Sequence, residues 1–297
     1  MLTTNNFTFG LLTPILAYLM SCIGAFIALR CTSRAYAYQG TARIRWLTLA
    51  AISLGTTGIW VMHFIGMLGY SVTGMTVRFN VAVTIASLLI AVAVVFGGLL
   101  IVGLGQPTVR NLLTAGVITG IGVSAMHYVG MAAIEMQAQM DYSLPLVALS
   151  VLIGIVAATA ALWAALRLRG LWSTLGASLI MGVAVSGMHY TGVAAMRMVR
   201  LAPGVHVSAT GPTAEGFLLP LLVGIGVVSI IMSAVLVFSP NAAEIREDQD
   251  LMNRISAATA MLNGHPGGQA GSQRDQWTTG ERPDQGLAPR RRRHAHR

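Results

Sequence analysis

Three copies of one short motif carry the residues of this sequence that are best suited to chemistry. The copies read MHFIGM at 62–67, MHYVGM at 126–131 and MHYTGV at 188–193. Imidazole nitrogen and thioether sulfur together suit copper, and the soft thioether favours Cu(I). A shared copper site is therefore one interpretation of the motifs, with these histidines as its nitrogen ligands: His63, His127 and His189.

Each motif also supplies methionine at fixed positions. On a helix of 3.6 residues per turn, the methionine at i+4 shares a face with its histidine, whereas the one at i−1 points about 100° away. The third copy has Val193 at i+4, and Met196, one turn further, is expected to compensate in part. The methionines of the three motifs are Met62, Met67, Met126, Met131 and Met188.

Glycine and an aromatic residue complete the motif. The glycine at i+3 removes side-chain bulk beside each histidine and allows close helix approach. Two interpretations stay open for the tyrosines that follow the second and third histidines, Tyr128 and Tyr190: interfacial anchors, or hydrogen-bonding partners near a bound ligand. Phe64 in the first copy shows that the hydroxyl is not required everywhere. The motif glycines are Gly66, Gly130 and Gly192.

The rest of the sequence must place these motifs in a membrane. Of its 297 residues, 55% are hydrophobic and 10% are charged, against about 25% charged in soluble domains. Seven continuous apolar runs are long enough to cross a bilayer as helices, which needs roughly 20 residues each. They lie at about 7–29, 46–70, 79–104, 111–133, 146–166, 174–196 and 216–238.

The spacing of the motifs predicts how the helices are organised. The histidines are 64 residues apart (63 to 127) and 62 residues apart (127 to 189), which is the length of two helices with their loops. The sequence therefore predicts an all-α polytopic membrane protein, a seven-transmembrane-helix bundle of three helical-hairpin repeats plus a seventh helix. The predicted membrane domain is 1–240, with repeats at about 7–70, 79–133 and 146–196, followed by the tail 241–297.

The arginines predict the orientation. The chain has no lysine and 19 arginines, and by the positive-inside rule the N-terminus is outside and the tail cytoplasmic. The net charge of +9 thus reports topology, and no nucleic-acid partner is expected. Residues 241–262 are expected to form a short amphipathic helix and the remainder to be disordered. Seven arginines fall in the predicted loops after helices one, three and five: Arg30, Arg34, Arg43, Arg45, Arg110, Arg167 and Arg169.

The motif histidines are expected at one depth, because each lies 17 residues after the predicted inner boundary of its helix. No Asp, Glu, Lys or Arg is expected deep in any span, and ionisable groups there usually mark a functional site. Zinc would want thiolate or carboxylate ligands, which that depth lacks. A purely structural alternative stays open, in which each imidazole donates a hydrogen bond to a neighbouring carbonyl.

The three motifs resemble the MHYT domain family of bacterial integral membrane sensor proteins, over about residues 7–238. The resemblance implies a multi-pass cell-membrane sensor that binds copper near the outer face and, through it, oxygen, carbon monoxide or nitric oxide. The same resemblance implies that the methionines of the three motifs are sulfur ligands beside the histidines. It also implies signal transduction through cytoplasmic modules. The 59-residue tail after helix seven is too short for one, so a separate cytoplasmic partner is expected and no enzyme activity.

Two other functions remain open at this stage. The first is membrane copper handling for transport or delivery, for which Met20 and Met181 offer further sulfur atoms. The second is a haem-binding electron carrier in which two of the three histidines are axial ligands.

Overall fold

Seven membrane-crossing helices form the bundle that the sequence predicts. The computed structural model describes residues 3–106, 108–201, 210–238 and 242–263. Within these residues, seven helices are long and apolar enough to cross a membrane, which confirms the multi-pass all-α fold class. They are α1 Leu12–Ala35, α2 Gly40–Leu68, α3 Val81–Leu104, α4 Val109–Ala132, α5 Leu144–Arg167, α6 Leu171–Ala195 and α7 Leu219–Phe238.

Polar residues cap the start of two of these apolar helices. The Asn80 side chain accepts a hydrogen bond from the Val83 amide (3.1 Å) at the start of α3. Thr108 does the same for the Asn111 amide (3.2 Å) at the start of α4. Each cap satisfies an amide that has no partner within its own helix, so the hairpin turns are encoded locally.

The helix α2 is not uniform along its length. It is α-helical over Gly40–Ile52, π-helical over Ser53–Val61 and α-helical again over Met62–Leu68. The π segment ends immediately before the first motif. A shorter π-helical turn, Ala214–Leu218, leads into α7.

Helix α1 lies inside the bundle against several partners. Gly24 of α1 faces the backbone of Gly58 in α2 so closely that a methyl group at Gly24 would lie 2.5 Å from the Gly58 Cα. Gly182 of α6 lies against Cys22 and Tyr18 of α1. Small residues permit such approaches between membrane helices, where packing takes over from the hydrophobic effect as the driving force.

Three short antiparallel strand pairs were not predicted. In each repeat, the strand before the first helix pairs with the strand after the second helix. The pairs therefore lie where α2, α4 and α6 end, which we call the motif side; the opposite end is the arginine side. They are β1 Thr4–Asn5 with β2 Ser71–Val72, β3 Arg78–Phe79 with β4 Ile134–Glu135, and β5 Ala138–Tyr142 with β6 Met196–Arg200.

The first span lies about one and a half turns further along the chain than predicted. Helix α1 runs from Leu12 to Ala35 instead of over 7–29, so Arg30 and Arg34 lie in its last turns and not in a loop. Both side chains are buried, and Arg34 Nη2 donates to the Leu236 carbonyl near the end of α7 (3.3 Å). Long arginine stems can follow apolar surface toward a helix end, which lets α1 continue through both residues.

The other predicted loop arginines are also mostly helical, although all lie on the arginine side. Arg43 and Arg45 are in the first turns of α2, Arg110 is in the first turn of α4 and Arg167 is the last residue of α5. Arg169 follows α5 and caps it, donating to the Leu166 carbonyl (2.8 Å). Which membrane face the arginine side meets stays a prediction from the positive-inside rule.

The tail begins with the helix that its composition indicates. This helix, α8, spans Ala242–Asn263. The chain divides into two compact units, Met1–Arg246 and Glu247–Arg297. The predicted disordered remainder, with His265, His294 and His296, lies outside the described residues.

Candidate metal centre

The three motif histidines meet at one point inside the bundle. Nδ1 of His63 lies 3.0 Å from Nδ1 of His127 and 3.1 Å from Nδ1 of His189. The third side of this triangle, between His127 and His189, measures 3.4 Å. All three side chains are at most 1% exposed. The equal depth predicted from the sequence thus places three imidazoles, from α2, α4 and α6, around a shared centre.

The motif glycines accommodate the histidines of other repeats. A methyl group added at Gly130 would lie 2.5 Å from Nε2 of His63, which is too close for any side chain. Each motif glycine thus allows the close helix approach that the sequence predicts, and the histidine it accommodates comes from another repeat. The three contacts are His63 with Gly130, His127 with Gly192, and His189 with Gly66. These six residues form the histidine layer.

The aromatic residue after each histidine packs edge-on against that imidazole. The ring centroids are 4.8 Å apart for His63 and Phe64, and 5.1 Å apart for His127 and Tyr128. The Tyr128 hydroxyl is 2.5 Å from Ser150 Oγ, so its hydrogen bond goes to α5 and not to the centre. Tyr190 packs on His189 in the same way (4.8 Å). These residues hold the imidazole rings in orientation.

The predicted sulfur ligands are all buried, but the structure separates some of them from the imidazoles. Met188 lies against Gly154 of α5, on a different face of α6 from His189, as the 100° offset requires. Met196 does not continue α6 one turn beyond Val193 as expected, because α6 ends at Ala195 and Met196 begins β6, opposite Tyr142; its supporting role stays a prediction. The other four are at most 2% exposed, and their role as ligands stays a prediction: Met62, Met67, Met126 and Met131.

The structural alternative does not take the form that the sequence left open. Within the described residues, Nε2 of each motif histidine has no hydrogen-bond partner, and the Nδ1 atoms face one another instead of carbonyl groups. Each Nδ1 presents either one proton or one lone pair. Among three that face one another, at least two must be of the same kind, so the triangle cannot satisfy itself by hydrogen bonds alone.

A single cation at the centre would resolve this conflict by accepting three lone pairs. A point equidistant from the three Nδ1 atoms lies about 1.8 Å from each (their mean separation divided by √3), close to the metal–imidazole bond of about 2.0 Å. The ring planes cross at 80°, 84° and 87°, which keeps the rings from colliding. Among the described residues, histidine, cysteine and carboxylate side chains come close enough to share a metal ion at this one place, and the group consists of the three motif histidines.

Sequence comparisons agree with these motifs. A family model named MHYT, described as "Bacterial signalling protein N terminal repeat", matches residues 57–115 and 120–178. Each match begins shortly before one of the first two motif histidines. No solved structure matches the chain.

Several curated relatives are signalling proteins. The bifunctional diguanylate cyclase/cyclic di-GMP phosphodiesterase MucR of Pseudomonas aeruginosa is 36% identical over 182 residues, which are 60% of this chain and 26% of the relative. The cyclic di-GMP phosphodiesterase NbdA of the same organism is also 36% identical, over 65% of this chain and 25% of its own length.

The signaling protein YkoW of Bacillus subtilis is 29% identical, over 65% of this chain and 25% of its own length. The chain thus spans about a quarter of the length of the curated relatives it matches. With two matched repeats, three motifs in register and a seven-helix bundle that brings their histidines together, the chain belongs to the MHYT domain family of bacterial membrane signalling proteins.

Proposed function

We propose that this membrane sensor module holds one copper ion in the histidine layer and responds to a diatomic gas or to redox state. The observation that carries the proposal is the triangle of three buried Nδ1 atoms, 3.0 to 3.4 Å apart, with no other partner for them among the described residues. Its ligands would be His63, His127 and His189. A copper ion there would supply an open coordination position and a one-electron redox couple.

The charge of the site favours the monovalent ion. Three neutral imidazoles bring no negative charge, and the described part of the bundle places no carboxylate in the layer. Burying an uncompensated charge costs free energy, and this cost rises steeply with the size of the charge. Cu(I) is therefore preferred over Cu(II) or Zn(II). This preference agrees with a site of three nitrogen ligands that has no thiolate.

The layer couples three helices, one from each repeat. Because α2, α4 and α6 each contribute one ligand, any change in the coordination of the ion alters how these three helices pack. By the predicted topology, the layer lies near the outer face and the helices carry the change to the cytoplasmic side. The names of two relatives link them to cyclic di-GMP turnover, so a cytoplasmic module of that chemistry is the proposed receiver.

Metal analysis of the full chain tests this function. Purified protein loaded with Cu(I) should retain one copper per chain, and replacement of His63, His127 and His189 by Ala should abolish retention. Replacement of the three tail histidines, His265, His294 and His296, is the matched control and should change nothing.

If the triple variant does not fold, the single change His127→Asn should still weaken copper retention, because two ligands remain where three are needed. Carbon monoxide added to the Cu(I) protein should give an infrared C–O band that the histidine variants lack. Equal copper in the wild type and in a folded histidine variant would refute the site.

The geometry distinguishes the two other functions. Axial histidines of one haem must stand on opposite sides of the iron, about 4 Å apart, and Nδ1 atoms 3.0 to 3.4 Å apart leave no room for a porphyrin between them. Copper handling keeps one supporting observation, since Met188 and Met181 line the same cavity below the layer. Copper flux across vesicles that contain the protein separates handling from sensing.

A further inference from the structure

An apolar cavity lies about one helical turn from the histidine layer, on its arginine side. Three residues of its wall are Ile59, Val123 and Val185. Each stands four positions before a motif histidine, and therefore one helical turn below it on the same face. The cavity thus lies about one turn from the three imidazoles, which are not part of its wall, and it continues along α5 as far as Ala165.

The wall of the cavity is apolar. Its lining residues are hydrophobic, glycine or threonine, and none of them is exposed. Its two threonine hydroxyls are already used, because Thr32 donates to the Ala28 carbonyl (2.8 Å) and Thr119 to the Val94 carbonyl (3.4 Å). A water molecule needs two to four polar partners to remain in such a space, so this cavity disfavours water.

The size of the cavity selects its occupant. Its volume is about 50 Å³, a few times the 10–15 Å³ that one water-sized sphere occupies on the same measure. Small side chains of α5 create the space, where Gly154, Ala157, Ala158 and Ala161 stand in place of larger residues. Dry apolar cavities bind small apolar molecules, including xenon.

We propose that this cavity is a docking site for one uncharged, diatomic-sized molecule, held about one helical turn from the imidazole centre by van der Waals contact with the cavity wall. The role of the docked molecule rests on the proposed gas-sensing function, whereas its binding needs no metal. A charged or strongly hydrogen-bonding ligand is disfavoured, because the polar side chains of this wall are two threonines whose hydroxyl protons are already donated to carbonyls.

Xenon is the probe for this site, because it is apolar and fits the volume. The metal-free full chain, in detergent micelles, should give a bound-xenon signal in xenon NMR. Ala158→Leu places three more carbon atoms inside the cavity and should abolish the signal. Ala160→Leu makes the same change on the same helix at an exposed position, and this control should keep it.

If Ala158→Leu does not fold, Ala161→Val is the smaller filling variant and should reduce the signal. The inference is overturned if folded wild-type protein shows no bound xenon, or if the filling and control variants behave alike. Copper analysis of the same samples keeps the two proposals apart. If the protein binds xenon but no copper, the docking cavity is supported and the proposed copper sensor is refuted. If it binds copper but no xenon, the copper site is supported and the docking cavity is refuted.

Discussion

The histidine layer is alike in all three repeats, whereas the helix segments that lead to it are not. In the layer, each imidazole meets the other two and faces a glycine of another repeat. Below it, α4 and α6 are α-helical throughout, but α2 reaches His63 through the nine-residue π segment Ser53–Val61. The three repeats are therefore equivalent in the layer, where three Nδ1 atoms must reach one point. They differ in the helix segments below it, which only have to pack.

The π segment carries polar contacts to helices outside its own hairpin. Thr57 Oγ1 is 2.6 Å from Ser229 Oγ of α7, and Trp60 Nε1 donates to Ser87 Oγ of α3 (3.0 Å). Because the i→i+5 pattern holds more residues per turn than an α-helix, it turns side chains to positions that an α-helix would not reach. We infer that α2 links the layer to α7, the helix outside the three repeats.

The largest effect is expected from deletions that break or keep the register of a motif helix. In the α-helical α6, deletion of Val183 rotates everything after it by about 100° and shifts it by about 1.5 Å. His189 then leaves the layer, and copper retention should fall from one per chain to none. Metal analysis of the purified variant measures this.

Deletion of Thr56 in the π segment is the matched counterpart. We expect it to convert the segment to α-helix, because the π pattern accommodates an extra residue, and to leave His63 in the layer with copper retained. The contact of Thr57 with Ser229 should be lost instead, with a lower unfolding temperature. Loss of copper as complete as in the Val183 deletion would show that the π segment itself positions the histidine.

Substitution of the motif glycines tests the equivalence of the repeats. Gly130→Ala puts a methyl group onto the His63 ring, and overpacking of this kind costs about 1–3 kcal/mol. Gly66→Ala and Gly192→Ala should have the same effect on thermal unfolding and should also lower copper retention.

Gly187→Ala is the control for the glycine series, since it lies in α6 where an added methyl group meets nothing within 4 Å. It should leave stability unchanged or raise it by up to about 1 kcal/mol, because alanine favours helix over glycine. If the three motif glycines tolerate alanine as well as Gly187 does, the tight ring of histidine and glycine contacts is wrong.

The sequence predicted the parts of this site that depend on local periodicity. The hairpin spacing and the position of each histidine along its helix were enough to put the imidazoles at one depth. The pairing of His63 with Gly130, and so on around the ring, depends on the order and rotation of α2, α4 and α6 about a common axis. No single helix contains that information, so local patterns could not supply it.

Two other features of the structure could not be predicted from the sequence, for different physical reasons. Strands of two residues, such as β1 Thr4–Asn5, are too short to show alternation, and only the pairing partner from the far end of the hairpin defines them. The π segment is composed of residues that α-helices also contain, and its contacts to Ser87 and Ser229 are tertiary. The cavity likewise depends on side chains from several helices, although the run of small residues in α5 is its local signal.

The smallest effect is expected at the strand pairs, where the middle repeat differs from the first. The Glu135 carboxylate in β4 accepts hydrogen bonds from the amides of Gly211 (3.0 Å) and Thr210 (3.1 Å) and from Asn80 Nδ2 (3.0 Å). The first pair, with sequences TN and SV, has no carboxylate. The contacts of Glu135 therefore tie the middle repeat to the segment before α7.

These contacts give the tie a pH dependence. The Gly211 amide first, and then the Asn80 side chain, lower the pKa of Glu135 below its ordinary value of 4.5. A lowered carboxyl pKa stabilises the fold fully above that ordinary value, and the stabilisation is lost as the pH falls through the folded pKa. Glu135→Gln should therefore lower the unfolding temperature slightly at pH 7, and the difference from wild type should vanish in acid.

Glu215→Gln removes the same charge at an exposed position in the π-helical turn before α7 and serves as the control. It should follow the wild-type unfolding temperature across the pH range. A difference between Glu135→Gln and wild type that stays constant down to acid pH would mean that the carboxylate charge is not what joins β4 to Thr210 and Gly211. The middle repeat would then be held to the segment before α7 by its other contacts, in which Arg78 donates to the Gly211 carbonyl (2.8 Å) and the Phe79 amide donates to the Pro212 carbonyl (3.0 Å).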